Sequence, residues 1–527
     1  MSINIADMRI VGSIIVLELL ILLSLSAVSA YTQHLSRNYF PPDFIFGVAS
    51  SAYQYEGAAA EDGRKPSIFD TFTHRKGTTM DGGNGDVAVD QYHRYKDDID
   101  LMSAMGVDAY RFSISWPRLI PDGKGPINPK GIEYYNNLIN ELLANGIQPH
   151  VTLYHFDLPQ ALEDSYGGFI NPQIVEDFVL YADVCFREFG DRVKYWSTFN
   201  EPNIFAIIGY DGGFFPPQRC SQPFGNCTAG NSTVEPYIVG HHVLLAHSAA
   251  VELYRKKYQA KEKGWIGLVI LANWMIPLTN KSTDVAATQR ANDFMLGWFL
   301  DPLVLGNYPV GIRNVVGSRL PSFTEEQAQK IRGSLDFIGV NHYFTMYCFD
   351  VPRKNAPMSR DYAQDMSIGY AVERDGIPIS NTTTLNGNPV LPQSMQAVLE
   401  YIEDRSHNTP ILVYENGFAE PNNSSIPLSE ALNDQYRIDL HRDVLSYVLA
   451  AIRNGSDIRG YFIWTLLDDF EVLTSYTWRF GLHYVDFNDN LKRYAKLSAH
   501  WYKTFLQRRD SKGSQILLNT NSFMNLS

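Results

Sequence analysis

Two glutamates close short apolar runs in this chain: Tyr195-Trp196-Ser197-Thr198-Phe199-Asn200-Glu201-Pro202 and Ile411-Leu412-Val413-Tyr414-Glu415-Asn416-Gly417. A carboxylate stranded at the end of a buried strand costs free energy unless it is paired or put to use. Two of them on one scaffold are the equipment for breaking a glycosidic bond, one donating a proton and the other attacking carbon. Taken singly, each is better explained by a structural ion pair with a nearby arginine; together they favour the catalytic pair.

The elements that must position them recur along the chain. Short runs at 44–51, 109–115, 148–154, 195–200, 267–273, 336–341, 411–414 and 459–466 are apolar on both faces, as parallel strands covered by helices should be. Stretches with helical spacing of apolar residues separate them, most clearly 131–145, 173–189, 234–258 and 434–453. This alternation predicts an α/β fold, a single (β/α)8 TIM barrel. Two segments, 209–233 and 350–392, break the rhythm with Gly, Pro, Asn and Ser; they predict long loops on the C-terminal face of the barrel, at the pocket mouth. Phe205, Phe214 and Phe344 are the candidates for lining that mouth.

Chemistry in such barrels gathers where strands end. By that rule Gln54, His155, Asn200, Glu201, Asn341, Tyr343, Glu415, Trp464 and Glu471 converge on one face. Polar groups for hydroxyls and rings for an apolar face are an inventory for gripping a sugar. His155 and Trp464 also suit a packed core, and Gln54 carries no signal by itself.

With 527 residues, 45% of them hydrophobic, the chain can bury a large core, and its net charge of −13 argues against nucleic acid or an anionic membrane as partner. Residues 1–30 read as a signal peptide: Arg9 precedes an apolar stretch, and Val28-Ser29-Ala30 offers small residues for cleavage. Glu18 interrupts the stretch, so no permanent membrane anchor is expected. The organisation expected is then a catalytic unit over 31–510 and a C-terminal tail over 511–527. N-glycan acceptor triplets begin at Asn226, Asn231, Asn280, Asn381, Asn422, Asn423, Asn454 and Asn525. Cys220 and Cys227 flank a Pro/Gly-rich loop and could close a small disulfide ring, whereas Cys185 and Cys348 read as buried thiols. A disulfide and glycans mean an oxidising compartment, so the secretory pathway, with the apoplast or vacuole as destination, is the expected location.

The runs also carry a resemblance. Phe44-Ile45-Phe46-Gly47-Val48-Ala49-Ser50-Ser51-Ala52-Tyr53-Gln54, Arg111-Phe112-Ser113-Ile114-Ser115-Trp116, Thr198-Phe199-Asn200-Glu201-Pro202, Glu415-Asn416-Gly417 and Arg479-Phe480-Gly481-Leu482 occur in order. Together they resemble glycoside hydrolase family 1, the β-glucosidase family, and its plant members most closely. The resemblance implies Glu201 as general acid/base and Glu415 as nucleophile of a retaining enzyme. It implies sugar contacts from Gln54, His155, Asn200, Glu415 and Glu471, a ring platform from Trp464, and Phe480 among the binding residues. Tyr343 would orient the nucleophile, with Arg111 beneath it and Asn341 in support. The substrate implied is a small-molecule glucoside, with no cofactor and no metal; His241-His242 lacks a carboxylate or cysteine partner at ligand spacing, and Asp468-Asp469, a conceivable cation site, reads instead as a solvated or paired loop. Nothing in the sequence specifies an oligomeric state.

Two positions depart from the family pattern. His-Trp-Asp is here His155-Phe156-Asp157, and Phe-Glu-Trp is Phe470-Glu471-Val472. Valine cannot supply the indole N–H that the family tryptophan gives to a glucose hydroxyl, a loss of about 1 kcal/mol. Plant relatives with similar changes include transglucosidases that move glucose from acyl-glucose donors to flavonoid or anthocyanin acceptors. Hydrolysis is the leading expectation and glucosyl transfer the second.

Overall fold

The structure is a computed structural model that describes residues 35–352 and 360–507. The expected signal peptide at 1–30, the tail at 511–527 and the acceptor Asn525 lie outside the described residues. Eight strands form a closed barrel: β1 (Ile45–Ala49), β2 (Ala109–Ser113), β3 (Gln148–Tyr154), β4 (Tyr195–Asn200), β5 (Trp265–Leu271), β6 (Phe337–Asn341), β7 (Ile411–Asn416) and β8 (Ile458–Trp464). Each pairs in parallel with its neighbours in sequence, and β8 returns to β1, Ile45 opposite Gly460 and Ala49 opposite Trp464. Every residue of β2, β6 and β7 is buried, because one face of each strand fills the barrel and the other meets a helix.

Covering helices include Pro129–Ala144, Gln173–Phe189, Glu235–Tyr254 and Gln435–Arg453. Each bears out an expected helical stretch, with ends shifted by a few residues at most; the reading at 234–258 continues past its α-helix into a π turn at Arg255–Gln259. Inside the barrel, beneath the C-terminal mouth, aromatic rings make a floor. His150 stacks on Tyr195 with centroids 4.2 Å apart and meets Phe462, while the Arg111 guanidinium lies over the Tyr414 ring at 5.1 Å. Burial, then the charge of Arg111, lowers the His150 pKa to about 3, so the imidazole there is neutral and does not repel the arginine.

The long segments differ from the sequence expectation in one respect. The stretch 209–233 is irregular and closed by the Cys220–Cys227 disulfide, S–S 2.08 Å. The stretch 350–392 holds regular structure: a helix at Tyr362–Met366 and a strand at Ile368–Ala371. That strand joins Thr345–Asp350 and Trp274–Pro277 in a three-stranded sheet beside the barrel. Its pairings join segments distant in sequence, so no local pattern announced it.

Candidate active site

Glu201 and Glu415 stand at the C-terminal ends of β4 and β7, and at both ends the ladder is irregular. The β4–β5 register shifts between Ser197 and Asn200. The β7–β6 register shifts between Val413 and Glu415, and β7–β8 between Val413 and Asn416. Such irregularities re-aim side chains at barrel rims. Glu201 itself takes a left-handed backbone, φ 44°, and Pro202 opens the helix Pro202–Tyr210. A non-glycine residue there is strained and is held by its surroundings: the Glu201 amide donates to the Val269 carbonyl at 2.9 Å, and Asn203 donates to the Leu271 and Met295 carbonyls. After β7, Gly417 passes so close to β8 that an added Cβ would lie 2.0 Å from the Trp464 carbonyl oxygen. That contact accounts for the glycine of Glu415-Asn416-Gly417.

The two carboxyls have different partners. Glu415 is 4% exposed; Oε1 accepts from Arg111 Nη1 and Oε2 from the Tyr343 hydroxyl at 2.8 Å. Glu201 Oε1 accepts from the Asn341 amide at 2.7 Å, and among the described residues no cation pairs with it. Burial, then the charge of Glu415, pushes the Glu201 carboxyl up to about 8. Asn200 links the two halves: its Oδ1 accepts from Arg111 Nη2 at 2.6 Å and from Asn341 Nδ2 at 3.1 Å, and its Nδ2 reaches His155 Nε2 at 3.1 Å. Burial, with Arg111 second, holds His155 well below the usual imidazole range. The neutral ring accepts at Nε2 and leaves its buried Nδ1 without a protein partner.

On the opposite wall, Gln54 Nε2 donates to Glu471 at 3.1 Å and is 3.4 Å from Asp469. Ser51 fixes the other end of that amide, donating to Gln54 Oε1 at 2.7 Å. The helix carrying Gln54, Ala52–Tyr55, is tied to the segment after β8 through Tyr55, whose hydroxyl meets Thr465 and receives the Leu467 amide. Trp464 lies nearly parallel to the His155 ring, centroids 6.0 Å apart.

A cavity of about 320 Å³ collects these groups: Gln54, His155, Asn200, Glu201, Tyr343, Glu415, Trp464, Glu471 and Phe480 all line it. Arg111 and Asn341 lie beneath the wall and act on it through their hydrogen bonds. Of the three mouth candidates, Phe344 lines the cavity. Phe205 is instead packed in the core against Tyr154 and Phe169, and Phe214 points to solvent, 65% exposed. Their neighbours Ile204 and Phe215 line the cavity, because on a helix and its exit loop a shift of one residue turns the side chain away. Sequence reasoning also missed Phe156, Phe418, Leu473 and Trp478, and Thr384, Asn386 and Asn388 from the 350–392 segment; strand-end position, the signal used, does not reach residues on loops. Asp468, weighed as a cation ligand, is a buried partner of Arg479 at 2.6 Å and Lys496 at 2.8 Å.

A closed α/β barrel with two carboxyls, amides and rings around one cavity on its strand ends defines a barrel glycosidase. The chain belongs to glycosyl hydrolase family 1, whose family model matches residues 36–511. It is similar to a coniferin β-glucosidase of Pinus contorta, 54% identical over 507 residues, covering 95% of this chain and 98% of that one. A cyanidin 3-O-glucoside 7-O-glucosyltransferase (acyl-glucose) of Delphinium grandiflorum is 49% identical over 484 residues, covering 91% and 92%. Among solved structures, a rice β-glucosidase mutant in a covalent complex with glucose superposes with a TM-score of 0.88 at 48% identity, covering 90% of this chain and 100% of that one.

Proposed function

We propose that the protein is a retaining β-glucosidase that hydrolyses the terminal β-D-glucosyl residue of a small phenolic glucoside, with Glu415 as nucleophile and Glu201 as acid/base. The observation that carries this reading is the unequal treatment of the two carboxyls. Arg111 and Tyr343 ion-pair and hydrogen-bond the Glu415 carboxylate, whereas Glu201 is buried beside it with, among the described residues, an amide alone as side-chain partner, an environment that keeps a proton on it.

Glu415 attacks the anomeric carbon while the Glu201 proton passes to the departing glycosidic oxygen. Once Glu415 is esterified its charge is gone, so Glu201 ionises more readily and takes a proton from an incoming water. That water opens the ester and regenerates both groups. Gln54, His155, Asn200 and Glu471 hold the sugar hydroxyls, Trp464 underlies the ring, and Phe480 closes the wall. Phenylalanines 156, 215 and 344 and Trp478 give the outer cavity aromatic walls; these, with the similarity to an enzyme named for coniferin, support a phenolic aglycone.

The same intermediate can pass glucose to a phenolic hydroxyl instead of water. The acyl-glucose-dependent relative and the valine at 472 on the cavity wall favour this as the second reading. Entry into the secretory pathway is supported by the Cys220–Cys227 bridge and by acceptor asparagines 226, 231, 280, 381, 422, 423 and 454, all exposed. The test is incubation with coniferin or an aryl β-glucoside, with proton NMR of the first-formed sugar. β-Glucose as initial product supports the reading and α-glucose would overturn it. Adding an acyl-glucose and a flavonoid decides between water and phenol as acceptor.

A further inference from the structure

One buried acid beside the cavity, Asp469, has no part in the mechanism above. Asp469 is fully buried after β8, and among the described residues no cation lies within ion-pair distance of it or of Glu471. Its neighbour Asp468 takes both nearby cations, Arg479 and Lys496. Arg111 is committed to Glu415. Among the described residues Gln54 is the side chain whose N–H donates to Asp469, and its single Nε2 nitrogen also donates to Glu471. Two carboxyls therefore share one amide, with Trp464 as a further side-chain donor to Glu471, and the two acids lie within hydrogen-bonding reach of each other. Asp469 Oδ1 has no partner.

The other titratable groups facing the pair worsen its position. Asp469 is faced by Asp468, Tyr55 and Tyr476, and Glu471 by Glu415, Glu201 and Tyr343. Each brings negative charge or, for a phenol, none. Two carboxylates sharing a buried site cannot both ionise without heavy cost, so they keep one proton between them. The bias agrees: burial and then the partner acid push Asp469 well up, and burial and then Glu415 push Glu471 up to about 8.

We propose that Asp469 is a positioning residue for the sugar site: its carboxyl donates the shared proton to Glu471, and this bond fixes the Glu471 oxygens and the Gln54 amide where the sugar hydroxyls meet them. When the pair loses that proton the carboxylates repel, Glu471 turns away and the grip on the glucosyl unit loosens. The inference rests on the proposed role of Glu471 in holding sugar.

The test isolates the pair by working in a Glu201→Gln background, where the acid/base no longer titrates, and measures glucose binding by calorimetry from about pH 6 to pH 9. Affinity in Glu201→Gln should fall by about threefold or more as pH rises through the range where the pair deprotonates. Glu201→Gln/Asp469→Asn should flatten the curve, because the asparagine amide donates to Glu471 at every pH. Asp469→Leu, folded as judged by circular dichroism, should weaken glucose binding about tenfold at all pH values. A curve that keeps its slope in the Asp469→Asn double variant overturns the inference, as does unchanged affinity in Asp469→Leu. A Glu471→Ala variant that binds glucose normally would instead overturn the sugar contact itself, and the two failures are thereby told apart.

Discussion

Glu415 and Glu201 face one cavity from β7 and β4, yet Arg111 and Tyr343 hold the first while, among the described residues, Asn341 alone holds the second. Chemically identical side chains thereby sit in opposite electrostatic surroundings, the arrangement that the proposed acid and nucleophile require.

Removing Glu415, the proposed nucleophile, tests the first half of that pairing. Glu415→Gly should lower turnover of an aryl glucoside by on the order of a thousandfold or more. Added azide should restore aglycone release by attacking from the vacated face, giving the α-glucosyl azide detectable by NMR. A variant with near-normal turnover would remove Glu415 from the chemistry.

The second half is read from pH. Glu201 must be protonated to act as acid, and its pKa is raised to about 8, so kcat/KM should fall as pH rises through that value. Glu201→Gln should lose the part of this alkaline limb that the acid supplies, leaving the shallower fall in sugar grip that the Asp469–Glu471 pair carries, and retain most activity only on substrates with strongly acidic leaving groups. The same shift bears on stability. A folded-state pKa above the unfolded one means the native protein holds a proton that the unfolded chain has released, so stability falls as pH rises from about 4.5 to about 8. Glu201→Gln should therefore melt about 1–3 °C higher than the parent at pH 8 and little differently at pH 4.

Arg111 and Tyr343 should fail differently. Arg111→Met leaves a buried carboxylate without its cation and should cost about 3–5 kcal/mol of stability, measured by denaturant unfolding. Tyr343→Phe removes a neutral donor, so stability should change by about 1 kcal/mol while kcat drops on the order of tenfold or more. Equal thermal stability of Arg111→Met and the parent would contradict the pairing.

Val472 occupies a cavity-lining position with φ 42°, a left-handed conformation that a β-branched side chain rarely adopts. Val472→Trp should tighten glucose binding by about fivefold if the indole N–H reaches a hydroxyl, the equivalent of about 1 kcal/mol. Product ratios of this variant with water and phenol competing should move toward hydrolysis.

The sequence laid out the barrel more completely than it did the cavity. Strands β3 and β4 begin and end where apolar runs begin and end, at 148–154 and 195–200, because each run is bounded by polar or turn-forming residues. β5 runs Trp265–Leu271, two residues earlier than the 267–273 reading, since the apolar run continues smoothly into Ala272 and nothing local marks its end. The residues that converge on the cavity from strand ends share a positional rule that can be applied to letters alone. Asp469 obeys no such rule: both it and Asp468 are fully buried, and the ion pairs of Asp468 and the Gln54 contact of Asp469 are what distinguish the two. The register shifts that aim Asn200 and Glu415 are equally silent, because inter-strand pairing is a property of two segments at once.

The segment that supplies Thr384, Asn386 and Asn388 to the cavity belongs to the region of the small side sheet, apart from the eight staves of the cylinder. On the proposed reading, part of the selectivity for what is attached to the sugar is housed in an appendage, beside the aromatic walls, while bond breaking is housed in the frame. A lineage could exchange the appendage for another of different reach or polarity and inherit the reaction intact. Grafting 381–390 between relatives with different preferred aglycones should transfer preference without transferring or losing the chemistry.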